Sequence, residues 1–120
     1  MSRLIVMLAL GAMIVARGAS AADADSGPGD ARHGAKLIAQ SGCGACHTIS
    51  GIANARGLVG PPLDNIGART IIAGILPNTA DNMRRWLQSP QSIVPGNAMP
   101  NIGLSADDAA DITAYLEALE

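Results

Sequence analysis

Both cysteines of this 120-residue chain fall within the six residues CGACHT, Cys43 to Thr48, and His47 directly follows the second. Two thiols three residues apart, next to an imidazole, can do four kinds of chemistry. They can close a disulfide, but a bridge across so short a loop removes little entropy from the unfolded chain. They can form a dithiol redox pair, which needs a strand–helix–strand setting. They can join a zinc site, which needs four ligands. His33, the other histidine, would then be the fourth, and adjacent Cys46 and His47 would have to converge on one ion. Or they can tether a haem. In Cys-x-x-Cys-His two thiols add across the two vinyl groups of the porphyrin, and the next histidine comes under the iron as its proximal ligand.

The rest of the chain bears on this choice. Arg3 precedes an uncharged, mostly apolar run of 13 residues, Leu4 to Ala16, and Ala19-Ser20-Ala21 has the small-x-small form of a cleavage site. Residues 1–21 read as a cleaved secretory signal peptide; an uncleaved anchor would need about 20 apolar residues. No cysteine stands near the cleavage site to carry a lipid. The expected location is the periplasm, with no membrane span in the mature form. Removing Arg3 and Arg17 leaves six basic residues against ten acidic ones, a formal charge of −4. Nucleic acid is thus not an expected partner, because phosphate binding needs a basic face.

The chain has no Phe, one Trp and one Tyr. Aromatic rings usually dominate the burial in a small core. A domain so poor in them has room for something large and apolar, and a cofactor is the obvious candidate. Export and this vacancy favour one covalently bound haem c over the other three readings.

These residues need a frame. Residues 22–29 are a polar, flexible lead-in, and the domain is expected over 30–120. Asp30 is a good N-cap, and Ala31, Gly34, Ala35 and Ile38 recur at spacings of three and four, which predicts a first helix over 31–41. Residues 49–77 hold five Gly and three Pro with no sustained period, apart from a short helical piece near 70–75. Thr79 caps a second helix over 80–89, with Met83, Trp86 and Leu87 on its buried face and Pro90 ending it. Residues 91–103, QSIVPGNAMPNIG, read as irregular throughout. Ser105 caps a last helix over 106–119, with Asp107 and Asp108 in the first turn, where the dipole favours them. Ile112, Tyr115, Leu116 and Leu119 form its apolar stripe. Nothing alternates with period two, so no strands are expected, and the redox-pair reading loses its setting. The class is all-α: three main helices joined by long Gly/Pro-rich loops, and loops of that length usually carry function.

Haem iron has a second axial position. His33 lies on the helix leading into the attachment site and reads as a surface residue. Met83 reads as core. Met99 stands 52 residues beyond His47, in a loop stiffened by Pro95 and Pro100, and is the expected distal ligand.

The sequence resembles the class I cytochromes c, small bacterial-type monohaem proteins, over about residues 30–119. GDARHGAKLIAQSGCGACHT is similar to the family's first helix and haem site, GPPLDNIGART to its Gly-Pro-x-Leu loop with a following Arg. NMRRWLQSPQSIVPGNAMP resembles the Trp-bearing helix and methionine loop, and SADDAADITAYLEAL the last helix. The resemblance implies the cytochrome c fold wrapped around one haem, with Cys43 and Cys46 as thioether tethers and His47 and Met99 as axial ligands. It implies that the Pro61 carbonyl accepts from the His47 ring, and that Arg69 lies near a haem propionate. Trp86 donates to a propionate or packs against the haem edge, and Gly34 lets the first helix cross the last against Tyr115. Ile38 stands where many relatives have an aromatic, which is expected to thin that crossing.

The implied function is one-electron transfer between redox protein partners, with a positive midpoint potential and no enzymatic activity. The protein would work as a soluble monomeric carrier or, alternatively, as the cytochrome c subunit of a periplasmic dehydrogenase or terminal oxidase complex. A haem sensor or peroxidase-like enzyme would require Met99 to leave the iron.

Overall fold

A computed structural model describes residues 28–120. The expected signal peptide, 1–21, and nearly all of the lead-in at 22–29 lie outside the described residues. Among the described residues four helices carry the fold: α1, Ala31–Gln40; α2, Ala80–Gln88; α3, Pro90–Ile93; and α4, Ala106–Glu117. Short 3-10 turns at Cys43–Ala45 and Ile66–Ala68, and a hairpin of β1, Ile71–Ile72, with β2, Leu76–Pro77, fill the connections. No helix among the described residues is long and apolar enough to cross a membrane.

The three long helices begin where their caps require. Asp30 accepts hydrogen bonds from the amides of Arg32 (2.8 Å) and His33 (3.2 Å). Thr79 accepts from Asn82 (3.2 Å), and Ser105 from Asp108 (3.0 Å). Each bond satisfies one of the amides that a helix start leaves unpaired. The α1 helix stops at Ser41 because Gly42 turns the chain with φ 77°, a conformation that suits a residue without Cβ.

Two expectations fail locally. The chain at 70–75 is not helical; it forms an antiparallel hairpin in which Ile72 pairs with Leu76 and Ile71 with Pro77. Strands two residues long are too short to display alternation, and Ala73 and Gly74 both take positive φ at the turn. Nor is 91–103 irregular throughout: Pro90 ends α2 but also opens α3 as its first residue. Its fixed φ and missing N–H suit that position.

The α1 helix crosses α4 with Gly34 buried at the contact. A methyl group on Gly34 would overlap the main-chain carbonyl of Asp111. The close neighbour is therefore the α4 backbone, not Tyr115, whose hydroxyl instead donates to the Ser50 carbonyl at 2.9 Å. Ile38 is 1% exposed and sits with Ile49, Ile66, Ile72, Met83, Leu87, Ala109, Ile112 and Leu116 in one apolar core.

Thr113 is 1% exposed, and its hydroxyl has no hydrogen-bond partner among the described residues. Leaving a buried hydroxyl unpaired costs roughly 1–3 kcal/mol. Thr113→Val keeps the shape and removes that debt. It is expected to raise the urea midpoint of the holoprotein by the equivalent of about 1 kcal/mol; a lower midpoint would mean the hydroxyl is satisfied.

The crossing also carries a polar clip. The Asp111 carboxylate accepts from the Asp30 amide (2.6 Å) and from Nδ1 of His33 (2.6 Å). The His33 bond, then the Asp30 amide, hold the Asp111 carboxyl below its usual range. The amides of His33 and Arg32 do the same for Asp30. A carboxyl depressed in the folded state adds stability above its unfolded pKa, and that stability is lost as pH falls through the folded value. Urea midpoints should therefore fall as pH drops from about 5 towards 2, and Asp111→Asn should flatten that slope.

Candidate functional site

The attachment segment is folded by its own backbone. The amides of Cys46 (3.2 Å) and His47 (2.9 Å) both donate to the Cys43 carbonyl, so one tight turn carries both thiols and the imidazole. The chain then returns across this turn. Gly57 donates to the carbonyls of Gly44 (3.0 Å) and His47 (3.2 Å), and Gly60 to that of Cys46 (2.8 Å). A Cβ on Gly57 would collide with the backbone of Cys46, and one on Gly60 with the ring of His47. These glycines let the returning strand lie against the motif.

Nδ1 of His47 donates to the Pro61 carbonyl at 2.7 Å. A carbonyl can only accept, so a proton sits on Nδ1, and in the neutral ring the lone pair is then on Nε2. Of the two adjacent prolines, Pro61 therefore holds the ring. Such a bond fixes the orientation of a ligating imidazole and raises its basicity.

Arg69 steadies the same loop from the other side, with Nη2 donating to the carbonyls of Pro62 (2.5 Å) and Asp64 (3.1 Å). The Asp64 carboxylate accepts the Ser50 amide at 2.8 Å, and that bond lowers its pKa. The loop bearing Pro61 is thus tied to the residues just after His47.

All seven residues singled out from sequence line one cavity: Cys43, Cys46, His47, Pro61, Arg69, Trp86 and Met99. Its volume is about 530 Å³, and Leu63, Ile66, Ile72, Met83, Leu87 and Leu116 complete its apolar walls. Cofactor sites are commonly cavities of this order, mostly apolar with a few placed polar groups. Cys43 and Cys46 are not joined in a disulfide, and burial pushes the Cys43 thiol up. His33, the candidate fourth zinc ligand, is paired with Asp111 at the helix crossing instead. No cluster of three or more His, Cys, Asp or Glu among the described residues could hold a bare metal ion.

The residues present fit a haem: two thiols beside an oriented imidazole with a free Nε2, a thioether, and apolar walls of suitable volume. One feature of the site had no signal in the pattern of apolar residues. The side chains of Gln91 and Asn97 hold the main chain around Met99. Amides flanking a Pro-Gly turn are the usual sign of side chains that close a loop on its own backbone.

A small helical shell around an apolar, thiol-bearing cavity with a histidine in its wall defines a haem-carrying protein of c type. The chain belongs to the cytochrome c family, whose model matches residues 31–120, and its cofactor is covalently bound haem c. It is 35% identical over 91 residues to cytochrome c oxidase subunit 2 of Alkalihalophilus pseudofirmus, an overlap of 75% of this chain and 26% of that protein. It is 30% identical over 94 residues to the same subunit of Bacillus subtilis, again 75% and 26%. The chain thus spans about a quarter of the length of the curated relatives it matches.

Two solved structures are similar over nearly their whole length. Cytochrome cH from Methylobacterium extorquens shares 29% identity with a TM-score of 0.55, covering 73% of this chain and 97% of that one. Cytochrome c2 from Rhodobacter sphaeroides shares 26% with a TM-score of 0.55, covering 76% and 96%.

Proposed function

We propose that the protein carries single electrons between redox protein partners through a haem ligated by His47 and Met99. The observation that supports this best is the Nδ1–Pro61 bond: it orients the His47 ring and reserves Nε2 for another partner at a cavity shared with Cys43, Cys46 and Met99. Bound haem supplies an iron that cycles between Fe(II) and Fe(III). Cys43 and Cys46 fix it covalently. His47 and Met99 would both ligate the iron, which would leave no open site for a substrate and make the protein a carrier rather than an enzyme. Apolar walls keep water out and disfavour the more highly charged oxidised form. Arg69 braces the Pro61 loop and faces the cavity, where a propionate would find it, and Trp86 packs in the wall.

Val59, Ile71 and Ile102 line the cavity yet are 70%, 47% and 42% exposed, and so form an apolar rim against which a partner can dock briefly. Residues 1–21 direct export to the periplasm and are removed, leaving 22–120, of which 30–120 is the working domain.

A redox titration of the mature protein, with a pyridine haemochrome assay, tests the core of this reading. One covalent haem per chain and a positive midpoint are expected, because thioether ligation and burial favour the reduced state. A strongly negative midpoint would rule out Met99 as ligand. The likeness to oxidase subunit 2 favours a second reading, in which the same electron transfer happens inside a terminal oxidase complex. Purification as a free monomer supports the carrier; copurification with an oxidase supports the subunit.

A further inference from the structure

Met99 has two main-chain polar groups, and both are held by side-chain amides. Its N–H donates to Oδ1 of Asn97 at 2.7 Å, and its carbonyl accepts from Nε2 of Gln91 at 2.7 Å. Neither amide is used once only. Gln91 Nε2 also donates to the Asn97 carbonyl (2.8 Å), and its Oε1 accepts from the Gly96 amide (3.0 Å). Asn97 Nδ2 reaches the carbonyls of Val94 (2.6 Å) and Pro90 (3.2 Å). A third amide, Asn101, accepts from the backbone of Gln91 at 3.2 Å.

Twelve residues with only one turn of helix among them are therefore closed on themselves by side chains. Backbone left free in such a loop would have to satisfy its polar groups with water, and the loop would fluctuate. Gln91 and Asn97 are half-buried, where an amide–carbonyl bond is less exposed to competition from solvent.

We infer that Gln91 and Asn97 are positioning residues for the Met99 thioether, and that their bonds set how readily an outside ligand displaces it from the iron. The inference rests on the assignment of Met99 as distal ligand. Displacement requires the loop to move away. Its rate and equilibrium follow the free energy of local opening, which these bonds raise. Asn97 also lines the cavity, but the bonds that both residues make to Met99 are to its backbone.

The test is imidazole binding to the ferric holoprotein, read by loss of the near-infrared sulfur-to-iron band. Gln91→Met keeps the length of the side chain and removes its hydrogen bonds. Asn97→Asp keeps the acceptor for the Met99 amide but loses the donor to Pro90 and Val94. Both variants should show the band without imidazole and bind imidazole at least tenfold more tightly than wild type. Gln91→Glu sets a carboxylate against the carbonyls of Asn97 and Met99 and should bind as tightly as Gln91→Met or more so. Ser92→Ala, at an exposed neighbour on α3, should match wild type.

Unchanged imidazole affinity in Gln91→Met and Asn97→Asp would overturn the positioning role while leaving Met99 as ligand. A wild-type protein without the band would instead remove the Met99 assignment and this inference with it. Should a variant fail to load haem, stopped-flow imidazole binding to Asn101→Ala, which removes only the outer bond to Gln91, reads the same opening. A faster displacement supports the inference, and an unchanged rate overturns it.

Discussion

Met99→Ala will abolish the low-spin spectrum of the ferric protein and its near-infrared sulfur-to-iron band. Water or hydroxide would take the vacated position, and the midpoint should fall by on the order of 0.1–0.3 V, within the roughly 0.8 V that axial ligands span. Met83 makes the comparison decisive. It lines the same cavity and is 3% exposed, so proximity alone does not choose between two thioethers. Met83 sits on the buried face of α2 within the core, whereas Met99 belongs to a loop fastened by its own amide bonds. Met83→Leu conserves volume, should cost less than about 1.5 kcal/mol, and should leave the spectrum intact. If Met83→Leu loses the band and Met99→Ala keeps it, the assignment is reversed.

Gly34→Ala is expected to weaken the fold severely. Two effects oppose each other. Alanine favours a helix over glycine by about 1 kcal/mol. Against that, the new methyl overlaps the Asp111 carbonyl, and a backbone atom inside a helix cannot turn aside as a side chain does. Overpacking of this kind costs about 3 kcal/mol, the upper part of its usual range. The net loss of about 2 kcal/mol lowers Tm by roughly 8–16 °C for a domain of this size. It also parts α1 from α4, and with it the Asp30–His33–Asp111 clip. Thermal unfolding of the holoprotein measures this, and a raised Tm would mean the two helices separate without penalty.

How far these features could be read from residues alone depended on how local they are. The caps at Asp30, Thr79 and Ser105 are single-residue signals beside periodic apolar runs, and the long helices started where they indicated. The attachment turn is local too, because its hydrogen bonds join residues three and four apart, and all seven site residues chosen from sequence line one cavity. Contacts at a distance were less legible. Gly34 was expected to meet Tyr115 on the family resemblance alone; its close neighbour is the α4 main chain, which leaves no mark in the sequence. The hairpin at 71–77 is too short to have a period. Pro90 has two meanings, helix stop and helix start, and it serves as both. The Gln91 and Asn97 bonds exist only once the loop has closed.

The apolar core carries one further consequence. It is built from isoleucine, leucine, alanine and one methionine, around a hollow of about 530 Å³. A domain this small has little surplus stability with which to tolerate an unfilled interior. Covalent loading of the porphyrin and acquisition of tertiary structure are therefore expected to be one event. Chains that miss attachment would remain open to proteases, so the supply of haem, rather than the rate of synthesis, would set how much of the protein accumulates.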